Sequence, residues 1–403
     1  MVCWASPMPL LHLFSVLGVV LAIVLDSTPA QAFPHSIGHG YTSCLNCHFN
    51  PMGGGPLTDY GRAVGATAFA AVPFYAKSKG NTREEVDEYL GQTSGFLGGT
   101  KLPAWIRPGA NYRGLYLQQA VGSDSPISRW ITMQAEANLV LKTKKDGLIA
   151  VGRLGYIPTP ERVSRAQQTA AKNLISREHY IGSRLSRSFG IYAGMMDPAF
   201  GIRVPDHAAY LRSKTLLNQS DQTHGLLMHY GGGSSDLALH VMTGNLYQTS
   251  GLRMRGVSGM GEWDIGKESR WGVSGFATAN DYRTRNMGAL HTRLGFEGDG
   301  AFLGQVGFIR EDPDNRIAQV GGYFFGQYQA PLARGISAMM TSEFYTADFE
   351  RQAERKFRAG PSIQYLPMQR VELRVDLLGT RSTGAGSLNA DNFTLQSQVH
   401  VWL

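Results

Sequence analysis

Alternation of apolar and polar residues with a period of two runs from about Arg107 to the C-terminus, and it constrains the fold more than any other feature. Successive side chains of a β-strand point to opposite faces, so this period indicates strands with one apolar and one polar face. The segments 129–142, 370–377 and 392–403 show it best, and their polar faces carry Glu, Arg and Asp in mid-strand. Strands of about ten residues with such faces are typical of a membrane barrel with a water-filled lumen.

The predicted connections between these strands alternate in length. Tight turns are predicted at 145–147, 189–190, 231–233, 266–267, 298–300, 331 and 367–368. Longer loops are predicted at 120–127, 158–173, 197–221, 247–252, 279–284, 311–315, 346–353 and 380–390. Short turns on one rim and long loops on the other describe an outer-membrane barrel. The fold class predicted from the sequence is therefore all-β, an antiparallel transmembrane β-barrel of about 16 strands.

Composition agrees with this prediction. The chain has 49 Gly, 10% aromatic residues and only 17% charged residues, which suits an antiparallel β protein. Its formal net charge is +7, and the basic residues are scattered rather than clustered with aromatics. Nucleic-acid binding is therefore not expected. A soluble β-sandwich also alternates with a period of two, and it stays open as an alternative.

The pentapeptide Cys44-Leu45-Asn46-Cys47-His48 predicts a cofactor. Two thiols separated by two residues suit covalent attachment of a c-type haem, and the adjacent imidazole is placed to ligate the iron. We therefore predict one haem c held by Cys44 and Cys47, with His48 as the metal ligand. A surface dithiol is the alternative interpretation.

An export signal precedes the motif. An apolar run at 10–25 is too short for a comfortable membrane span, and Ala30-Gln31-Ala32 has the small-x-small pattern of signal peptidase cleavage. Removal of the signal would leave Cys44 and Cys47 without partner cysteines for a zinc site. The first basic residue is Arg62, so an uncleaved N-terminal anchor is the alternative.

Four regions follow from these features. We predict a signal peptide at 1–32, a monohaem cytochrome c segment at 33–72, a linker at 73–105 and an outer-membrane β-barrel at 106–403. The linker is predicted to contain a short helix at 82–90.

The segment Cys44-Leu45-Asn46-Cys47-His48-Phe49, followed by Leu57-Thr58-Asp59-Tyr60-Gly61-Arg62, resembles the outer-membrane cytochrome–porin fusions. Those proteins are linked to extracellular iron oxidation. The resemblance implies that the haem segment plugs the barrel and that electrons pass between the cell exterior and the periplasm. It also implies a periplasmic cytochrome or other redox carrier as a partner, with ferrous iron among the extracellular donors. The insert 51–56 departs from the pattern of the iron oxidases.

The sixth ligand of the haem iron is left open by the sequence. His39 and His35 lie upstream, and two histidine ligands would favour a low potential, whereas a Met ligand would raise it. Met52 follows His48 too closely to reach the opposite haem face with ease. Arg62 is a candidate partner for a haem propionate or for lumen acids. Gly53, Gly54 and Gly55 predict either a turn with unusual backbone angles or a flexible tether.

The longest predicted loop, 197–221, lies between the fifth and sixth strands. In sixteen-stranded porins a loop at this place often folds inward and narrows the channel. It contains Arg203, Asp206, His207, Arg212 and Lys214, of which Asp206 and His207 could bind a divalent metal donor. A solvated loop is the simpler interpretation.

Three functions are compatible with these features. The first is an electron-transfer conduit of the bacterial outer membrane, in contact with outer-membrane lipid and with possible metal-oxidase activity. The second is a diffusion porin whose haem-bearing plug is structural. The third is a soluble exported cytochrome with a β-sandwich binding module.

Overall fold

A computed structural model of the chain describes residues 36–37, 41, 44–71, 102–121, 125–143, 147–156, 173–215, 217–218, 221–266, 269–314, 316–351, 354–384 and 391–403. The predicted signal peptide, His35, His39 and the predicted helix at 82–90 lie outside the described residues. Within the described part of the chain, no helix is long and apolar enough to cross a membrane.

Sixteen antiparallel strands form one closed barrel. They are β1 (Ile106–Val121), β2 (Ile127–Lys142), β3 (Leu148–Tyr156), β4 (Leu174–Arg184), β5 (Phe189–Met196), β6 (Thr223–Gly232), β7 (Ser235–Gly244), β8 (Arg255–Asp264), β9 (Arg270–Asn280), β10 (Arg283–Phe296), β11 (Gly300–Pro313), β12 (Gln319–Ala333), β13 (Ile336–Thr346), β14 (Arg355–Tyr365), β15 (Val371–Thr383) and β16 (Asp391–Trp402). Each strand pairs with its neighbours in sequence, and β1 closes on β16, for example at Asn111 with Trp402. The predicted fold class is confirmed.

The two faces of the strands differ as the alternation predicts. On β15, Leu373, Val375 and Leu377 are exposed on the outside, whereas Glu372 and Asp376 are buried towards the lumen. A closed barrel leaves no strand edge unpaired, and an apolar outer surface around a polar interior is the arrangement that hydrocarbon requires. The barrel therefore spans a membrane, and the predicted location in the bacterial outer membrane is confirmed.

All connections longer than five residues lie at one end of the barrel, but several predicted turns and loops differ from the structure. Phe189 and Gly190 lie inside β5, where Gly190 pairs with Arg184 and His229, and the turn is at 185–188. The glycines at 231–232 end β6, and Pro331 lies within β12 next to a register shift. The predicted loop at 279–284 is a two-residue turn between β9 and β10. The side-chain oxygen of Asn280 closes it by accepting hydrogen bonds from the amides of Tyr282 and Arg283.

Residues 44–71, the described part of the predicted haem segment and hereafter the plug, lie in the lumen. The plug contains helices α1 (Cys44–Cys47) and α2 (Asp59–Val64) and a π-helical turn at Gly65–Phe69. Phe49 and Met52 are buried in an apolar cluster with inward-facing residues of the wall, among them Val140, Val151 and Leu227. These wall positions interrupt the polar lumen face where the plug contacts it, so apolar burial holds the plug against β2 to β7.

The connection 197–222 folds into the lumen, as predicted. Phe200, Ile202 and Leu211 pack against apolar wall residues of β10 to β12. Wall side chains also accept hydrogen bonds from the loop backbone, as Gln305 does from the amide of Ile202. A short helix α3 (Tyr210–Ser213) lies in this connection, hereafter the inner loop (197–222).

Candidate haem site

The two plug helices pack closely enough to fix the cysteine motif. The amide of Thr58 donates to the carbonyl of Cys47 at 2.9 Å, and the Thr58 hydroxyl donates to the carbonyl of Asn46 at 2.8 Å. The same hydroxyl accepts from the amide of Gly61 at 3.0 Å and so caps the N-terminus of α2. The helix that carries the cysteines is therefore tied to the helix that contains Gly61.

The three consecutive glycines form a turn with unusual backbone angles. Gly53, Gly54 and Gly55 have φ of 77°, 76° and 62°, a region that side chains with a Cβ adopt only with strain. A Cβ on Gly55 would stand 2.6 Å from Oε2 of Glu178, and one on Gly53 would stand 3.3 Å from Sγ of Cys44. The turn thus allows the backbone to approach both the wall and the motif.

Cys44, Cys47 and His48 line one cavity inside the barrel. Its volume is about 280 Å³, close to the lower end of the ~300–1,000 Å³ range of small-molecule pockets. The walls combine the plug, the inner loop and several strands, and the cavity extends to Leu366, Met368 and Trp402 at the short-turn rim. A large, flat prosthetic group with apolar and charged edges would find both kinds of partner in this space.

The imidazole of His48 is in the state that iron ligation requires. Burial and the neighbouring Arg203 guanidinium lower the pKa of His48 to about 4, against the opposing effect of the backbone at Gly54 and Gly55. The ring is therefore neutral at pH 7 and has a free lone pair for a metal. Its buried Nδ1 has no hydrogen-bond partner among the residues that the structure describes.

Arginines are the most numerous charged residues of the cavity lining that the structure describes. Five of the lining residues are arginines and, within the described chain, a single lining residue is a carboxylate, Glu372. The arginines are Arg113, Arg153, Arg203, Arg212 and Arg293. Four of the five pair with carboxylates: Arg113 with Glu372, Arg153 with Glu136, Arg203 with Asp197 and Arg293 with Glu262. Arg212 donates to the carbonyls of Val204 and Leu217 and makes no ion pair with any described carboxylate. An anionic group such as a haem propionate would thus be matched by charge. The residues present fit a haem.

The other residues considered from sequence are placed elsewhere. Arg62 is not among the described residues that line the cavity, and its Nη2 donates to the carbonyl of Pro108 at 2.9 Å. Asp206 accepts from Arg358 at 3.3 Å, whereas the adjacent His207 lines the cavity. The structure therefore gives no support to a divalent metal site shared by Asp206 and His207. Lys214 pairs with Glu354 at 3.3 Å.

Several lining residues lacked a sequence signal. Arg113, Arg153, Arg293 and His400 lie on β1, β3, β10 and β16, and each looks like an ordinary lumen-facing polar residue within its own strand. Barrel closure brings them to the same space. His207 had a signal, because it belongs to the one long loop expected to fold inward.

No protein-family model and no curated protein sequence matches the chain. The structure is, however, similar to solved outer-membrane porins. An anion-selective porin from Comamonas acidovorans is 10% identical with a TM-score of 0.59, covering 74% of this chain and 99% of that one. OmpT of Vibrio cholerae is 8% identical with a TM-score of 0.55, covering 75% and 99%. OprB of Pseudomonas putida is 9% identical with a TM-score of 0.55, covering 74% and 94%.

The fold thus defines a porin-like β-barrel of the outer membrane. At these identities the likeness concerns the fold alone. The plug with its cysteine motif is the feature of this chain from which a specific function must be argued.

Proposed function

We propose that this chain binds one haem c inside the barrel and conducts single electrons between an extracellular donor or acceptor and a periplasmic carrier. The observation that carries this proposal is the shared cavity: both thiols of the motif and the adjacent neutral imidazole line it. The thiols of Cys44 and Cys47 would form the two thioether bonds, each S–H adding across one vinyl group. His48 would ligate the iron, and Arg212, which has no ion pair with a described carboxylate, would pair with a propionate.

A haem at this place would supply one-electron redox chemistry in the middle of a membrane barrel. For each electron that the donor loses, the carrier gains one, so no further co-reactant is required. The extension of the cavity to Trp402 and Met368 supports exchange at the short-turn rim, which faces the periplasm in outer-membrane barrels. The resemblance of the motif segment to fused cytochrome–porins is the support for ferrous iron as a candidate donor.

Electron transfer across a vesicle membrane tests the proposal. The protein is reconstituted into liposomes that contain a trapped soluble cytochrome c, and ferrous iron or dithionite is added outside. We expect the trapped cytochrome to become reduced with the wild type and to stay oxidised with the Cys44→Ala, Cys47→Ala double variant. Equal rates for the two proteins, or no reduction with either donor, would contradict the proposal.

A diffusion porin with a structural plug is the second candidate, favoured by the porin-like fold and the polar lumen wall. Single-channel conductance separates the two functions. A steady open pore whose conductance is the same in the wild type and in Cys44→Ala, without electron transfer in the vesicle assay, would favour the porin. The packing of Phe49 and Met52 against the wall favours an obstructed lumen.

A further inference from the structure

Two histidines besides His48 are found among the described residues that line the cavity, and they differ in their partners. Nδ1 of His400 lies 3.0 Å from Oε2 of Glu372 and 2.9 Å from Nη2 of Arg113. His207, by contrast, has a buried Nδ1 without a hydrogen-bond partner in the part of the chain that the structure describes. Buried polar atoms in proteins normally have a hydrogen-bond partner, so an unpartnered imidazole nitrogen needs an explanation. A group that binds in the cavity and contacts the His207 ring would explain it.

The backbone around His207 is fastened to the barrel. The amide of Ala208 donates to Oδ1 of Asp206 at 2.8 Å, and Oδ2 of that carboxylate accepts from Arg358 of the wall. The amide of Tyr210 donates to Glu343 at 2.8 Å. His207 is thus held between two anchored positions, as a metal ligand must be if its geometry is to be set before the metal binds.

His48 and His207 line the same cavity, although one belongs to the plug and the other to the inner loop. Arg153 and Arg203 line it with them, so the two imidazoles share one set of neighbours. A group bound in this cavity would therefore lie between the plug and the inner loop.

The methionines near the cavity are less well placed as ligands. Met52 is buried against wall residues such as Val140 and lies four positions after His48 in the chain. Met368 lies in the turn at 366–370 on the short-turn rim and is 56% exposed. The backbone of Met52 is also anchored, since its amide donates to Oδ1 of Asn50, but its side chain is packed in the apolar cluster. The Nδ1 of His207, by contrast, has no described partner.

We propose that His207 of the inner loop is the sixth ligand of the iron of a haem held by Cys44, Cys47 and His48. This inference rests on the proposed haem site. It implies that the plug and the inner loop are joined through the cofactor, so that haem insertion would fix the inner loop to the plug inside the lumen.

The spectrum of the purified haem protein tests this assignment. We expect the ferric wild type to be six-coordinate and low-spin, and His207→Ala to become high-spin and to return to low-spin on addition of free imidazole. His207→Met keeps a ligating atom and a similar volume, and it should raise the midpoint potential. His224 of β6 is not among the described residues that line the cavity, so His224→Gln is the control and should keep the wild-type spectrum and potential.

The outcomes separate this inference from the function on which it rests. A His207→Ala protein that carries haem with the wild-type spectrum and potential would overturn the ligand assignment and leave the haem site standing. Loss of the low-spin spectrum in His39→Ala, His35→Ala or Met52→Leu instead would do the same and name the true ligand. A wild-type protein without haem would overturn both proposals. If the His207→Ala protein does not insert into the membrane, the midpoint potential of His207→Met decides. A raised potential would support the ligand assignment, and a wild-type potential would overturn it.

Discussion

Gly61 lies directly against the backbone of Cys47: a Cβ built on Gly61 would stand 2.3 Å from the Cys47 carbonyl oxygen and 2.7 Å from its Cα. No side chain fits between these two groups. The close approach lets α2 support the helix that carries both cysteines. The Gly-Arg pair that follows the motif therefore has a structural reason in this chain, since the first of its residues permits the contact.

Substitution of Gly61 by Ala should disturb haem attachment. The backbone atoms of Cys47 cannot move aside as a flexible side chain would, so we expect a cost of about 1–3 kcal/mol from overpacking. The expected result is a clear loss of haem per protein in the outer-membrane fraction, measured by haem staining and absorbance. Gly152→Ala in β3 is the control, because a Cβ there meets nothing within 4 Å and Gly152 is not among the described residues that line the cavity. Equal haem content in both variants would contradict this role of Gly61.

Removal of the Phe49 ring should loosen the plug. Phe49 is 3% exposed and packs against the wall, and truncation of a buried Phe costs about 3–5 kcal/mol. We expect faster amide hydrogen exchange across 44–71 in Phe49→Ala, with exchange in the barrel strands unchanged. Phe308→Ala, on the half-exposed outer face, is the control and should leave the plug as protected as in the wild type. Protection of the plug that is insensitive to Phe49→Ala would show that other contacts hold it.

An ion pair at the short-turn rim should make plug docking depend on pH. Arg107 donates to both carboxylate oxygens of Asp59, at 2.5 and 2.8 Å, and Lys142 lies 3.4 Å away. Burial alone would raise the pKa of Asp59, but the hydrogen bond from Arg107 and the charge of Lys142 lower it. A carboxyl group whose pKa is lowered in the folded protein stabilises it fully above the ordinary pKa of about 3.9. That stabilisation is lost as the pH falls through the lowered value.

Asp59→Asn should therefore weaken docking by about 1 kcal/mol at pH 7, since the pair is partly exposed. The difference from the wild type should disappear in strong acid. The measurement is the rate at which a protease cleaves the plug, at a series of pH values from 7 down to 2. Cleavage of the barrel strands in the same samples is the internal reference. A difference that persists unchanged at the acid end would rule out the ion pair as its source.

The barrel could be predicted from the sequence because its signal is local. Apolar and polar residues alternate along each strand with a period of two. The apolar face with Leu373 and Val375 and the polar face with Glu372 and Asp376 can therefore be recognised from the sequence of that strand alone. The prediction failed where side chains act across the chain. Gly190 reads as a turn residue but pairs with Arg184 and His229 inside β5, and Asn280 shortens a predicted loop because its side-chain oxygen accepts hydrogen bonds from two amides.

The site was predictable only in part. Cys44, Cys47 and His48 form a contiguous motif, so they were named from sequence, and the structure places them together on a cavity. The charged residues that line the cavity could not be predicted from the sequence. Arg113 and Arg293, for example, lie about 180 positions apart in the chain and come to the same cavity only when the barrel closes. Val140, an apolar residue on the lumen face of β2, belongs to the same buried cluster as Phe49, a relationship that only the structure shows.

A haem-stained gel of the outer-membrane fraction, combined with a reduced-minus-oxidised spectrum, tests the central claim most directly. The account predicts a stained band of the wild-type protein that survives denaturation, a c-type spectrum, and loss of both in the Cys44→Ala, Cys47→Ala double variant. A wild-type protein that is correctly inserted in the membrane but colourless and unstained would contradict it.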